Sequence, residues 1–150
     1  MTREHFIEQT CLLLEERGRT DFTLSEVLDS CGAHKGSLYH FFPKGKSELV
    51  VASVNHLSIC AQAHVRGHLE SGVSVAVKNQ LLDLARMMES VGHRTIPFAA
   101  IAAITGDEDK EVTLACQQTL LKLESIYTTR LQLDGMTAPE AESLSSFIVH

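Results

Sequence analysis

The chain has 150 residues, 44% hydrophobic and 21% charged, with a formal net charge of −6. That length buries a serviceable core, as one domain or as a small head on a larger helical body. There is no apolar run of about 18 residues, and the opening MTREHFIEQT is neither a secretory signal nor a transit peptide. A membrane partner is therefore not expected and a cytoplasmic location is, while the acidic balance argues against nonspecific coating of nucleic acid.

Residues 3–17 read as an amphipathic helix whose apolar side carries Phe6, Ile7, Thr10, Cys11, Leu13 and Leu14. Residues 18–21 break it. Thr23-Leu24-Ser25-Glu26 then has capping-box spacing, so the Thr23 hydroxyl and the Glu26 carboxylate can satisfy orphan amides. Val27, Leu28 and Cys31 give the second helix one apolar side, and Gly32 suits a left-handed end. Residues 33–42 are about two turns of helix, too short to stand without neighbours. The pattern predicts a helix-turn-helix whose second helix enters the major groove of DNA. Lys35 sits near its start and can donate to guanine O6 and N7. Gly36 and Ser37 let the backbone approach DNA, and Tyr39 and His40 suit phosphate oxygens and thymine methyls. Leu38, Phe41 and Phe42 are expected to face inward. Between Gly32 and Lys46 there are three lysines, two histidines and no acid, yet residues 1–50 as a whole carry a net charge of −2. Few phosphate contacts and a shallow salt dependence follow, so a dimer reading two half-sites is expected.

A fourth helix is expected from Lys46 or Ser47 to Glu70, with Leu49, Val50, Val54, Leu57, Ala61 and Val65 inward. It is long enough to link the head to a second domain and to couple the two. Further helices are expected over 74–91, over 98–105 and from about 107 to 133, the last made apolar by Leu114, Leu120, Leu121, Leu123, Ile126, Tyr127 and Leu131. Asp134-Gly135 stops that helix, and Pro139 opens a final one through Ala141, Leu144, Phe147 and Ile148. Nothing alternates like a strand, so the chain is expected to be all-α.

The cysteines, Cys11, Cys31, Cys60 and Cys116, lack CxxC spacing and are expected as reduced core residues. His56, Cys60, His64 and His68 recur every fourth residue on the long helix. Such pairs share a face, which raises metal sensing as an alternative, with Cys60, His64 and His68 the candidate ligands and Cys116 or His93 completing the site. Each step of four drifts about 40° from the helical repeat, so one ion takes two or three of them at most. The chain has no HExxH, G-x-S-x-G, P-loop or glycine fingerprint, so neither an enzyme nor a cofactor is expected.

The run Gly32-Ala33-His34-Lys35-Gly36-Ser37-Leu38-Tyr39-His40-Phe41-Phe42-Pro43-Lys44-Gly45-Lys46-Ser47-Glu48-Leu49 resembles the helix-turn-helix signature of the TetR/AcrR family of one-component regulators. The motif match covers roughly residues 3–55, and the helical remainder fits the family's second half by layout. The resemblance implies a three-helix head at 1–46 and a helical ligand-binding and dimerisation domain at 47–150. It implies a homodimeric repressor that leaves double-stranded operator DNA when a small-molecule inducer binds. Thr23 matches a phosphate contact, Lys35, Gly36 and Tyr39 match base or backbone contacts, and Lys46 matches a phosphate-binding lysine. With Ala33, His34, Ser37, His40 and Lys44 they make up the expected DNA-binding set. His34 replaces the family's usual Ser or Thr, Phe41 replaces a common histidine, and the turn at 43–46 is one residue longer. A subgroup of flavonoid- or drug-responsive regulators has a similar Pro-x-Gly-Lys turn. The expected ligand-pocket residues are His64, Met87, Met88, Phe98, Ile101 and Gln117. A third possibility is an interaction protein that keeps the fold without operator binding.

Overall fold

The computed structural model describes residues 2–17, 21–89 and 109–149, and every regular element within them is an α-helix. In chain order these are α1 (Arg3–Arg17), α2 (Leu24–Cys31), α3 (Lys35–Phe41), α4 (Lys46–Leu69), α5 (Val73–Glu89), α6 (Lys110–Leu133) and α7 (Ala138–Val149). The helix expected over 98–105 lies outside the described residues.

Two apolar clusters organise the described residues. The first joins Phe6 and Leu14 of α1, Phe22, Val27 of α2, Leu38 of α3, Phe42 and Leu49, Val50 and Val54 of α4, and it also takes in Val112, Ala115 and Cys116 of α6. The second joins Val65 and Leu69 of α4, Ala76 of α5, and Ile126 and Tyr127 of α6. Both α4 and α6 thus run through both clusters, and the first two turns of α6 help to build the core of the head. Where helices meet closely, buried hydroxyls return to their own helix. Thr10 donates to the Phe6 carbonyl at 2.8 Å, Ser53 to Leu49 at 2.9 Å and Thr119 to Ala115 at 2.9 Å. That i−4 bond satisfies a small polar group inside the core.

Helix α6 starts where the Asp109 carboxylate accepts from the Val112 amide at 3.2 Å. At its other end Arg130 Nε is 3.1 Å from Asp134, and Gly135 takes a positive φ of 100°. Helix α7 then folds back on α6 through Ala141 and Ser145, and the Ser145 and Thr128 hydroxyls are 2.6 Å apart.

Three expectations need correction. Helix α3 spans Lys35–Phe41 rather than 33–42. Gly32 sits at φ 59° and ψ 38°, the Ala33 amide donates to the Leu28 carbonyl at 2.9 Å, and His34 is extended. Two residues are therefore spent turning the chain before the helix restarts. Phe147, read as part of the apolar pattern of the last helix, is 84% exposed. It lies two residues beyond buried Ser145, about 200° around the helix from the packed face. Cys60, expected in the core, is exposed, whereas Cys11, Cys31 and Cys116 are buried, and all four thiols are free.

Candidate nucleic-acid interface

Helix α2 opens with the capping box read from the sequence. The Thr23 hydroxyl accepts from the Glu26 amide at 3.2 Å, and the Thr23 amide donates to the Glu26 carboxylate at 2.7 Å. The same hydroxyl donates its proton to Glu26 at 2.9 Å. A phosphate contact from Thr23 therefore requires that proton to leave Glu26.

Helix α3 has only two turns and is held by what it buries. Leu38 and Phe42 are fully buried. The Phe42 ring meets Phe6 edge-on at 6.3 Å, Phe41 lies 6.2 Å from Phe6, and the Arg3 guanidinium sits over Phe42 at 5.1 Å. With that side anchored, helical spacing turns Lys35, Gly36, Tyr39 and His40 to the outside, all of them exposed. Ser37 is half-buried beside them. Ala33 is half-buried and His34 exposed in the turn, and the His34 side chain makes no cap hydrogen bond. Lys35 Nζ lies 5.8 Å from the centre of the Tyr39 ring, within cation–π range.

The turn after α3 is shaped around Tyr39. Gly45 has a φ of 75°, which favours glycine, and the Tyr39 ring lies alongside, its Cε1 3.4 Å from where a Cβ would stand. The Gly45 amide donates to the Phe42 carbonyl, and the Lys44 amide donates to the Glu48 carboxylate, each at 2.9 Å. Lys44 Nζ reaches Glu111 Oε1 of α6 at 3.2 Å. Lys46 opens α4 half-buried, with Nζ 4.9 Å from the centre of the Phe22 ring. Burial pulls its pKa below the ordinary lysine value, while Asp21, Glu26 and Asp109 pull it back up.

Seven of the ten expected DNA-binding residues thus fall into two groups, with Ala33, His34 and Ser37 beside the first. Lys35, Gly36, Tyr39 and His40 form one outward face. Thr23, Lys44 and Lys46 stand beside carboxylates. Glu111 and Asp109 read in the sequence only as acids suiting a helix start, because Glu111 meets Lys44 across 67 positions, where no local pattern pairs them.

Of the expected pocket residues, His64 and Gln117 are exposed. The side chains of Met87 and Met88, and Phe98 and Ile101 altogether, lie outside the described residues. A groove of about 400 Å³ does run between α4 and α6, floored by Leu69 and Ile126 and edged by Arg66, Lys122 and Arg130. The His64 and His68 rings pack at 4.2 Å, but among the described residues no three His, Cys, Asp or Glu side chains come together to hold a metal. Among the described residues no helix is long and apolar enough to cross a membrane.

Comparison with known proteins agrees with this architecture. Residues 6–52 match the family model of bacterial regulatory proteins, tetR family. Residues 74–150 match the model described as transcriptional regulator LmrA/YxaF-like, C-terminal domain. The uncharacterized HTH-type transcriptional regulator YxaF of Bacillus subtilis (strain 168) is 23% identical over 150 residues, 98% of this chain and 78% of that protein. The HTH-type transcriptional regulator LmrA of the same organism is 23% identical over 153 residues, 98% of this chain and 80% of that protein. An uncharacterized HTH-type transcriptional regulator of Mycobacterium tuberculosis (strain ATCC 25618 / H37Rv) is 30% identical over 116 residues, 75% of this chain and 58% of that protein. The crystal structure of E. coli NemR in its reduced form superposes with a TM-score of 0.78 at 19% identity, covering 98% of this chain and 83% of that one. At that identity the likeness speaks for the fold alone.

Proposed function

This chain belongs to the TetR family of transcriptional regulators, and from that premise we propose that it is a homodimeric repressor released from operator DNA by a small molecule. One observation carries the reading. The short helix α3 buries Leu38 on one side and presents Lys35, Gly36, Tyr39 and His40 on the other, with no acid among them. A lysine near the start of such a helix reaches base edges, and an exposed tyrosine donates to a phosphate oxygen.

The division of labour we propose is DNA binding by residues 1–46 and ligand binding and dimerisation by residues 47–150. Helix α4 supports coupling between them. Its 24 residues span about 36 Å, and they contribute Leu49, Val50 and Val54 to one cluster and Val65 and Leu69 to the other. A ligand that shifts the second cluster would tilt α4 and change the separation of two recognition helices. The fit to half-sites about 34–36 Å apart, or a multiple of that, would then be lost. Leu114 and Leu121 of α6 and Phe147 of α7, all more than half exposed, support a partner-facing surface. Action on chromosomal operators would place the protein in the cytoplasm.

The test is a gel shift on DNA flanking its own gene. Wild type should retard a discrete fragment, and Lys35→Ala and Tyr39→Ala should not, while helicity and dimerisation stay unchanged. Retention of full affinity by both variants would refute the assignment, and so would failure of wild type to retard any fragment. The second outcome would favour an interaction protein on the same fold.

A further inference from the structure

We propose that Glu111 of α6 limits the affinity of the head for DNA, because its carboxylate occupies the Lys44 ammonium and must be displaced before that lysine meets a phosphate. The inference rests on the DNA-binding reading above and goes beyond it, since it assigns a role in DNA affinity to a residue of the ligand-binding half.

Lys44 follows the recognition helix by three residues, in the turn that lies along Tyr39. Its backbone is fixed by the bond to Glu48, so only the side chain is free to choose a partner. In this structure that partner is Glu111, at 3.2 Å. On the other side of Gly45, Lys46 feels Asp21 and Glu26 and, less strongly, Asp109. Asp109 is also the cap of α6, so the helix start that fixes its carboxylate also fixes Glu111 two residues on. Lys44 is therefore in contact with an acid from the start of α6, and Lys46 lies within electrostatic reach of another.

The consequence is electrostatic. A carboxylate in contact with an ammonium cancels much of its attraction for a phosphate and repels the phosphate itself. When DNA displaces it, the freed carboxylate takes up a cation, which offsets part of the counterion release that drives binding. The pair is also weak enough to open, because the two side chains are 69% and 59% exposed. Nonspecific affinity is thereby kept low and more of the binding is left to the base-facing residues of α3.

The experiment uses the full chain as wild type, Glu111→Gln, Lys44→Gln and the double variant. Each is titrated by fluorescence anisotropy against a labelled duplex of arbitrary sequence, at salt between about 50 and 200 mM. Glu111→Gln should bind about two- to five-fold tighter per half-site. Its salt dependence should steepen by up to about 1 in log–log slope per half-site. Lys44→Gln should bind no tighter than wild type, its slope shallower only by what Glu111→Gln leaves of a total of about 0.9 per half-site, and adding Glu111→Gln to it should change binding far less than in the wild-type background. Thermal melting alongside checks that α6 still forms, and Glu111→Ser serves equally if the glutamine variant melts early. If wild type binds the duplex and Glu111→Gln binds it identically, the inference is overturned and the DNA-binding reading survives. If Glu111→Gln is as effective in the Lys44→Gln background as alone, a general charge effect replaces the displaced pair. If neither wild type nor Glu111→Gln binds the duplex at about 50 mM salt, the inference is overturned, while the operator-binding reading stands or falls by the gel shift on its own flanking DNA.

Discussion

Neighbouring residues of α3 should respond to truncation in opposite ways. Leu38 has no exposed surface, whereas Tyr39 beside it is 40% exposed. Leu38→Ala removes three buried carbons, about 2.4 kcal/mol of transfer free energy at ~0.8 kcal/mol each, and leaves a cavity in the first apolar cluster. The total falls in the range of about 2–5 kcal/mol for such changes. For a chain of this length that corresponds to a drop in Tm of roughly 6–15 °C. Tyr39→Ala loses a half-covered ring over Gly45 and a distant cation–π contact with Lys35, so its cost should stay below about 1 kcal/mol. The assay pairs urea unfolding followed by circular dichroism with DNA binding at a temperature where both variants remain folded. Leu38→Ala should be strongly destabilised, and Tyr39→Ala should be nearly as stable as wild type but defective in DNA binding. Equal destabilisation by the two variants would refute the proposed orientation of α3. Undiminished DNA binding by Tyr39→Ala would refute the functional use of its outer face.

Three other outcomes follow from the same coordinates. Thr23→Ala should cost about 1 kcal/mol in urea unfolding, and Glu26→Ala added to it should cost much less than it does alone, because the two residues share one capping box. Burial pushes the Cys11 and Cys116 thiols up from 9.0 to about 12 and about 11. Because those folded-state values are raised, the neutral thiols contribute fully below pH 9 and their contribution is lost as pH rises above it. The loss should be on the order of 1 kcal/mol from each at pH 10. Melting curves between neutral pH and pH 10 should show it, and the Cys11→Ala/Cys116→Ala protein should show a flatter pH dependence. Leu121→Glu and Phe147→Glu place a charge on exposed apolar positions, so light scattering should find monomers with unchanged helicity. Persistent dimers in both variants would exclude this face as the interface.

Much of the head was legible because its signals are local. Thr23 and Glu26 are three residues apart, Gly32 sits where a left-handed residue is required, and Leu38 and Phe42 share one helical face. The start of α3 was not legible, since no residue type distinguishes the extended Ala33-His34 turn from a helical first turn. On α6 and α7 the sequence marks many apolar positions but not which of them find a neighbour within the chain. Leu120 and Ala141 are buried while Leu121 and Phe147 are not, and only packing against α4 and between α6 and α7 separates them. Ser53 and Ser58 of α4 are buried as well, and nothing in their residue type marks them as inward positions. At the interface itself, the residues on α3 were readable and their electrostatic opponents were not. Lys44 and Glu111 meet through tertiary structure alone.

The most direct test of DNA recognition by α3 is selection of duplexes from a random-sequence library, followed by footprinting of the enriched sites. The expected result is an inverted repeat whose half-sites lie about 34–36 Å, or a multiple, apart on one face of the duplex. Lys35→Ala should relax the sequence preference at the bases nearest the start of α3. No enrichment by the wild-type protein, or the same site with the same stringency from Lys35→Ala, would contradict it.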